Sequence, residues 1–210
     1  MRYFHRYGRQ FDWLFPKRMW RVSDGPSDVL YLTFDDGPVP GVTESVLDIL
    51  KSYGIKATFF CVGDNVAKYP NIYNRIIEEG HAVGNHTYNH LDEHESGYYQ
   101  YLRNVVKGRK ILKPLGGNQS IELFRPPYGR LSRRTEKALK GLKVVMWSVL
   151  TGDFDPSLER EVCLRKSIES TVGKDIVVFH DNNKMKDKVL WVLPRYIDCC
   201  LEKGFRFERL

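Results

Sequence analysis

Cysteine is scarce: Cys61, Cys163, Cys199 and Cys200 are the only four among 210 residues. None forms a Cys-x-x-Cys pair, and the adjacent Cys199 and Cys200 are awkward partners for each other. A disulfide framework is therefore excluded and a reduced chain is expected. No apolar run approaches the roughly 18 residues of a transmembrane helix. Nor does an apolar stretch of about 7–15 residues follow the basic N-terminus, so the sequence reads without a secretory signal and a cytoplasmic location is expected. Internal repeats and low-complexity tracts are absent as well. With 42% hydrophobic and 28% charged residues, the composition excludes disorder and collagen. A mass of 24.5 kDa is long for one domain and short for two, which predicts a single domain.

Positive charge is in excess. The formal net charge of +7 suggests an anionic partner. Most of it sits in residues 1–22, where Arg2, Arg6, Arg9, Lys17, Arg18 and Arg21 face a single acid, Asp12. The remainder is nearly neutral and carries no DNA- or RNA-binding motif, so nucleic acid is not an expected partner. At 100° per residue, Tyr3, Phe4, Tyr7, Phe11, Leu14 and Phe15 share one arc of Met1–Trp20, opposite Arg2, Arg6, Arg9 and Asp12, with Trp13 misplaced. Such a basic aromatic helix can lie on a membrane surface, which makes residues 1–22 a candidate peripheral membrane contact. The commoner fate of such a stripe is burial against its own domain. The turn Ser23–Ser27 divides the chain into a basic aromatic segment, 1–28, packing on or extending from the barrel, and a domain, 29–210.

Beyond that turn strands and helices alternate. Strands are predicted at Val29–Phe34, Ala57–Val62, His81–Asn85, Glu122–Arg125, Lys143–Val149, Asp175–His180 and Phe205–Glu208. Helices are predicted at Thr43–Tyr53, Pro70–Glu79, Tyr98–Lys113, Ser132–Lys140, Ser157–Val172 and Lys188–Lys203, several stopped by glycine or proline. This alternation predicts an α/β fold with parallel strands, best matched by a distorted seven-stranded (β/α) barrel. An open doubly wound sheet is the alternative.

Polar groups gather at the strand ends. Asp35 and Asp36 follow the first strand, and His86 follows the third, with His90 one helical turn later. Arg125 ends the fourth, Asp153 lies after the fifth and His180 ends the sixth. The carboxyl ends of barrel strands are where catalytic groups collect. Each feature has a structural explanation of its own: Asp-Gly and Gly-Pro are turn signals, and His180 ends a buried strand. Yet adjacent carboxylates repel unless they share a cation or one is protonated. Histidines four apart in H-T-Y-N-H face one way on a helical turn, a geometry suited to divalent metals. No Glu follows His86, so this is not H-E-x-x-H. His94 continues the spacing but lies among Asp92, Glu93 and Glu95, which read as a solvated face. Asp36, His86 and His90 are thus expected to bind a divalent metal with positions left open for water and substrate. These ligands suit Zn²⁺, and Co, Ni and Fe are compatible with them. Arg125, in R-P-P-Y-G, is expected to pin Asp35 through a bidentate contact. The prolines would hold the amide of Tyr128 in one place, and His180 would serve as a general acid. Trp147 is read as core or pocket lining.

T-F-D-D-G, H-T-Y-N-H, R-P-P-Y and V-F-H occur in this order between Tyr31 and Glu208. In them the chain resembles the NodB-homology polysaccharide deacetylases, carbohydrate esterase family 4. The resemblance implies a distorted (β/α) barrel and metal-dependent removal of N-acetyl or O-acetyl groups from sugars, mostly N-acetylglucosamine units. It implies Asp35 as general base, Asp36, His86 and His90 as metal ligands, and Arg125 as the holder of Asp35. The Tyr128 backbone N–H would stabilise the oxyanion and His180 would be the acid. The fourth family motif, D-x-x-D-W, stands here as L-T-G-D-F at Leu150–Phe154. Only Asp153 survives, to support either Arg125 or His180, and the wall of the acetyl pocket is altered. The expected partner is an acetylated glycan. Two other classes stay open: a non-catalytic glycan-binding module, and an amidohydrolase acting on a small cyclic amide C–N bond.

Overall fold

The computed structural model describes residues 3–112 and 122–210. Met1, Arg2 and the last residue of the predicted helix Tyr98–Lys113 lie outside them. The chain runs α1 (Gln10–Leu14), β1 (Arg18–Met19), β2 (Val29–Asp35), α2 (Thr43–Ser52), β3 (Thr58–Cys61), α3 (Gly63–Lys68), α4 (Pro70–Glu78), β4 (Ala82–Asn85), α5 (Glu93–Ser96) and α6 (Tyr98–Ile111). It continues with β5 (Leu123–Phe124), α7 (Arg133–Ala138), β6 (Lys143–Val145), β7 (Val149–Leu150), α8 (Arg160–Ser170), β8 (Ile176–His180), α9 (Lys186–Glu202) and β9 (Arg206–Phe207). The strands form one curled sheet in the order β1-β6-β5-β4-β3-β2-β8-β7, with β9 beside β2. All of these pairings are parallel.

Strand β2 shows why the sheet sits where it does. All seven of its residues are buried, as a strand of a parallel sheet covered on both faces requires. Side chains alternate between faces. Leu30, Leu32 and Phe34 join Val46 and Leu50 of α2 and Val192 and Tyr196 of α9 in the main core. Val29 and Tyr31 join Phe60, Val145 and Ile176 on the other, concave side. Thr33 and Asp35 share that second face by the same period of two.

Among the described residues there are nine strands where seven are predicted. The predicted strand Lys143–Val149 is two, because the chain bends at Met146–Ser148. The Met146 N–H donates to Met19 O and the Ser148 N–H to Ile176 O. One bent segment thus joins β6, beside β1 and β5, to β7, at the far end of the sheet, and brings the barrel to near closure. The other addition is β1, whose two residues carry no readable alternation. It pairs with β6 through Arg18 and Met19, so the N-terminal segment contributes to the sheet.

The predicted helix over Met1–Trp20 is corrected: among its described residues only Gln10–Leu14 is α-helical. Residues 5–7 run instead as an extended stretch against β7, with an antiparallel bridge from Arg6 to Val149. Tyr7 N–H donates to Ser148 O at 2.8 Å and Leu150 N–H to His5 O at 2.9 Å. Tyr3, Tyr7, Phe11 and Phe15 pack against Trp20, Trp147 and Leu150, while Phe4, Trp13 and Leu14 of the same predicted arc or its neighbourhood are exposed. The four cysteines are free.

Candidate active site

Parallel pairing puts the carboxyl ends of the strands at one rim, and the register sets which residues share a level. Asp35 pairs with Phe60 on one side and His180 on the other. Cys61 pairs with Asn85, and Asn85 with Phe124. His86 and Arg125 therefore emerge side by side, one residue past their strands.

Arg125 is fully buried. Its Nη1 donates to Thr33 Oγ1 and to Asp35 Oδ1, each at 2.7 Å, the two acceptors standing two residues apart on the concave face of β2. Nη2 donates to Met146 O at 2.8 Å and Nε to Val145 O at 3.3 Å. The guanidinium lies over the Phe60 ring, 4.1 Å from its centre. The expected bidentate contact with Asp35 is thus a single one, because the remaining donors satisfy the bend that closes the barrel. This leaves Asp35 Oδ2 facing the histidines, 4.0 Å from His86 Nε2.

Asp36, His86 and His90 converge, each offering one ligand atom within 4.8 Å of the others. Asp36 Oδ1 lies 3.2 Å from His90 Nε2 and 3.7 Å from His86 Nε2. Among the described residues this buried oxygen has no aligned hydrogen-bond donor. The His86 ring is oriented by Nδ1, 2.8 Å from Arg125 O, which leaves Nε2 free to carry a lone pair into the group. Burial pushes the His86 imidazole down to about 4, so it is neutral, as a ligand must be. Burial pushes the Asp36 carboxyl up, but His90, His180 and His86 outweigh it and hold Asp36 below the ordinary carboxylate range. An orphaned carboxylate oxygen facing two imidazole nitrogens fits a divalent cation.

The pair of histidines is not on a helical turn, which corrects the expectation from spacing. Residues 86–90 form a loop in which Thr87 (φ 64) and His90 (φ 54) are left-handed. That loop brings the two ring centres to 5.0 Å. It is held by Asn104 of α6, whose Oδ1 accepts from Tyr88 N and Asn89 N. His94 is exposed and outside the metal group. Its acidic neighbours are not all a solvated face. Asp92 and Glu93 are buried. Asp92 caps α5 and pairs with Arg130, and Glu93 accepts from Ser132 and Thr135.

On the opposite side of the rim, Asp153 takes His180 twice. Oδ2 accepts from the His180 backbone N–H at 2.7 Å and Oδ1 lies 2.8 Å from Nδ1. Asp153 therefore supports His180 and not Arg125. Burial alone would lower the His180 imidazole; Asp153, with Asp36 and Asp35 beyond, pushes it up to about 9. Tyr128, in the 3₁₀ turn Pro127–Gly129, has φ 60 and sets its ring 4.8 Å from that of His90. Trp147 is buried, 5.8 Å from the Arg125 guanidinium and against the ring of Tyr7.

A family model described as polysaccharide deacetylase matches residues 23–147. The chain belongs to the polysaccharide deacetylase family. This polysaccharide deacetylase is 31% identical over 198 residues to a peptidoglycan-N-acetylglucosamine deacetylase of Bacillus cereus, covering 90% of this chain and 88% of that one. It is 30% identical over 174 residues to a chitooligosaccharide deacetylase of Azorhizobium caulinodans, with 81% of each chain covered. A crystal structure of a peptidoglycan N-acetylglucosamine deacetylase in complex with 4-naphthalen-1-yl-N-oxidanyl-benzamide superposes with a TM-score of 0.86 at 30% identity, over 95% of this chain and 94% of that one. Like its family, the chain is a hydrolase with the curled parallel barrel described above.

Three polar residues around the candidate site escaped the sequence reading. Asn182 Nδ2 donates to Asp36 Oδ2 and Asn65 Nδ2 to Asp36 O. Asp181 is fully buried, accepting from Gly37 N at 3.0 Å and Thr43 Oγ1 at 2.6 Å. Burial, with Asp36 nearby, raises its carboxyl to about 8. A Cβ on Gly37 would come within 2.1 Å of Asp181 Oδ2, so the turn after Asp36 needs glycine. Single polar residues without a spacing pattern leave no signal in one sequence; only the position of Asp181 beside His180 hinted at it.

Proposed function

We propose that this deacetylase removes acetyl groups from N-acetylated amino sugars, N-acetylglucosamine-type units of a polysaccharide or glycan precursor, with Asp35 as base and His180 as acid. The observation that carries the reading is the convergence of Asp35, the Asp36–His86–His90 group and His180 on one barrel rim. The relatives named as a peptidoglycan-N-acetylglucosamine deacetylase and a chitooligosaccharide deacetylase support the substrate class.

Asp36, His86 and His90 would hold a divalent cation, Zn²⁺ by ligand type, which when bound supplies Lewis acidity for amide hydrolysis. The protein's own groups do the rest. Arg125 occupies Asp35 Oδ1, leaving Oδ2 to take a proton from the attacking water. The Tyr128 backbone N–H donates to the oxyanion that develops on the acetyl carbonyl. Asp153 holds His180 at Nδ1, so Nε2 is the atom that protonates the departing sugar amine, a poor leaving group otherwise.

The test is acetate release from a panel of N-acetylated oligosaccharides. Chelation should abolish it and metal add-back restore it. Asp35→Asn should lower it by about 10²–10⁴-fold, the usual worth of one acid–base group. Full metal-dependent release by Asp35→Asn overturns the assignment of the base. Release from ring amides but not from acetylated sugars overturns the substrate class.

A further inference from the structure

We infer that the N-terminal segment is part of the hydrolytic site, with Tyr3 as a positioning residue for His180. The inference deepens the deacetylase reading above and rests on it for its kinetic consequence. His180 is tied at Nδ1 by Asp153, but one hydrogen bond leaves the ring free to tilt about it. The tilt is limited by Phe154, whose ring meets the His180 ring edge to face, centres 5.4 Å apart at 71°. Phe154 is itself only half-buried, and what backs it is Tyr3, ring centre 5.0 Å away. The phenol of Tyr3 is drawn toward Asp155; burial and that carboxylate push its pKa well above the ordinary tyrosine value and keep it neutral.

Tyr3 is held there by a zipper of backbone and side-chain contacts. His5 O accepts from Leu150 N and His5 Nδ1 lies 3.1 Å from Leu150 O. The Tyr3 and His5 rings touch at 5.2 Å. One residue on, Arg6 Nη1 bonds the buried Asp175 carboxylate at 2.8 Å and also donates to Ser170 O. A second, independent observation is Gly152, at φ +79. A Cβ there would stand 2.5 Å from Tyr3 Oη and 3.0 Å from His5 Cε1, so the stretch between Leu150 and Asp153 leaves room for the segment only as glycine. The segment therefore touches L-T-G-D-F at Leu150, Gly152 and Phe154, while Asp153 of the same stretch holds the acid.

The chain of contact runs Tyr3, Phe154, His180. Losing its first member should loosen the acid without removing it. A group misplaced by a fraction of an ångström to an ångström loses about ten- to hundredfold in rate. Tyr3→Ala in the metal-loaded full chain should thus lower kcat about tenfold with KM nearly unchanged, the pattern of a contact that matters in the transition state. Tyr3→Phe, which keeps the ring, should restore most of kcat. Phe154→Ala should act alike, and adding Tyr3→Ala to it should cost little more, since both act through one ring.

A readout independent of turnover is the imidazole NMR signal of His180, assigned by its loss in His180→Gln. Tyr3→Ala should shift it, because the Phe154 ring current it experiences changes. Unchanged kcat together with an unmoved His180 signal overturns the proposal. So does a loss of activity that merely tracks a lowered Tm while the His180 signal stays put. If the wild-type chain releases no acetate from any acetylated sugar, the deacetylase reading fails on its own, and the His180 signal alone decides whether Tyr3 positions the ring.

Discussion

At the scale of single residues, Asp153 changes the character of His180 more than any other group. Its carboxylate receives both the backbone N–H and the ring Nδ1, and it leads the groups that overcome burial and raise the imidazole to about 9. An acid must be protonated to act, and His180 is protonated below that value. With His180 as acid, kcat/KM should therefore hold on the alkaline side until the pH rises through about 9, and then fall. Asp153→Asn keeps a hydrogen-bond acceptor but removes the charge. The descending limb should move to lower pH by about one to three units, the usual effect of losing a close opposite charge. A pH–rate profile of the two proteins checks this. An alkaline limb that does not move would mean that another group sets it. The role of Asp153 could not be read from the chain, because its distance to Arg125 and to His180 depends on where β7 and β8 lie together. His180 and Arg125 themselves were legible, as polar residues closing apolar strands.

Among the elements, α6 holds the loop 86–90 that carries the proposed metal ligands His86 and His90. Gly108 faces it: a Cβ would stand 2.5 Å from Asn85 Oδ1, 2.9 Å from Thr87 C and 3.0 Å from Thr87 O. Two of these neighbours are backbone atoms of Thr87, the first of the three residues between the histidines, and Asn85 Nδ2 already binds Val105 O of the same helix. Gly108→Ala gains up to about 1 kcal/mol in helix propensity. Overpacking of this kind costs about 1–3 kcal/mol and outweighs it. The variant should be less stable in urea unfolding and should bind Zn²⁺ more weakly by titration; unchanged metal affinity would show that the loop does not depend on the helix. Strand β2 and helices α2, α4 and α9 were readable because long apolar patterns have a period. Strand β1, the bend at Met146–Ser148 and helices α3 and α5 were not, being too short to show one. The left-handed Thr87 and His90 were hidden for a further reason: non-glycine residues enter that region only when their surroundings hold them there.

For the molecule as a whole, folding redistributes the charge. Of the six basic residues near the N-terminus, Arg6 pairs with Asp175, Arg18 with Glu136 and Arg21 with Asp12. Arg9 and Lys17 stay exposed, beside a Trp13 that is 82% exposed and an exposed Leu14. Most of the predicted apolar stripe is turned inward to Trp20 and Trp147, so any peripheral membrane contact would rest on this smaller group. On that proposal, anionic liposomes should pellet the wild-type chain, and Trp13→Ser should pellet less. Equal pelleting of the two proteins removes Trp13 as an anchor.

Which residues are candidates for the chemistry, and in what order along the chain, was legible in the sequence alone, because carboxylates and imidazoles closing apolar strands are a local pattern. Their distances were decided only by the tertiary structure. Parallel register brings Asp35 level with His180, two left-handed residues turn His90 back to Asp36, and residues 3–7 fold onto Leu150 and Phe154 far along the chain. Those contacts depend on which strands lie side by side, and that is settled by the burial of both sheet faces together rather than by any segment on its own.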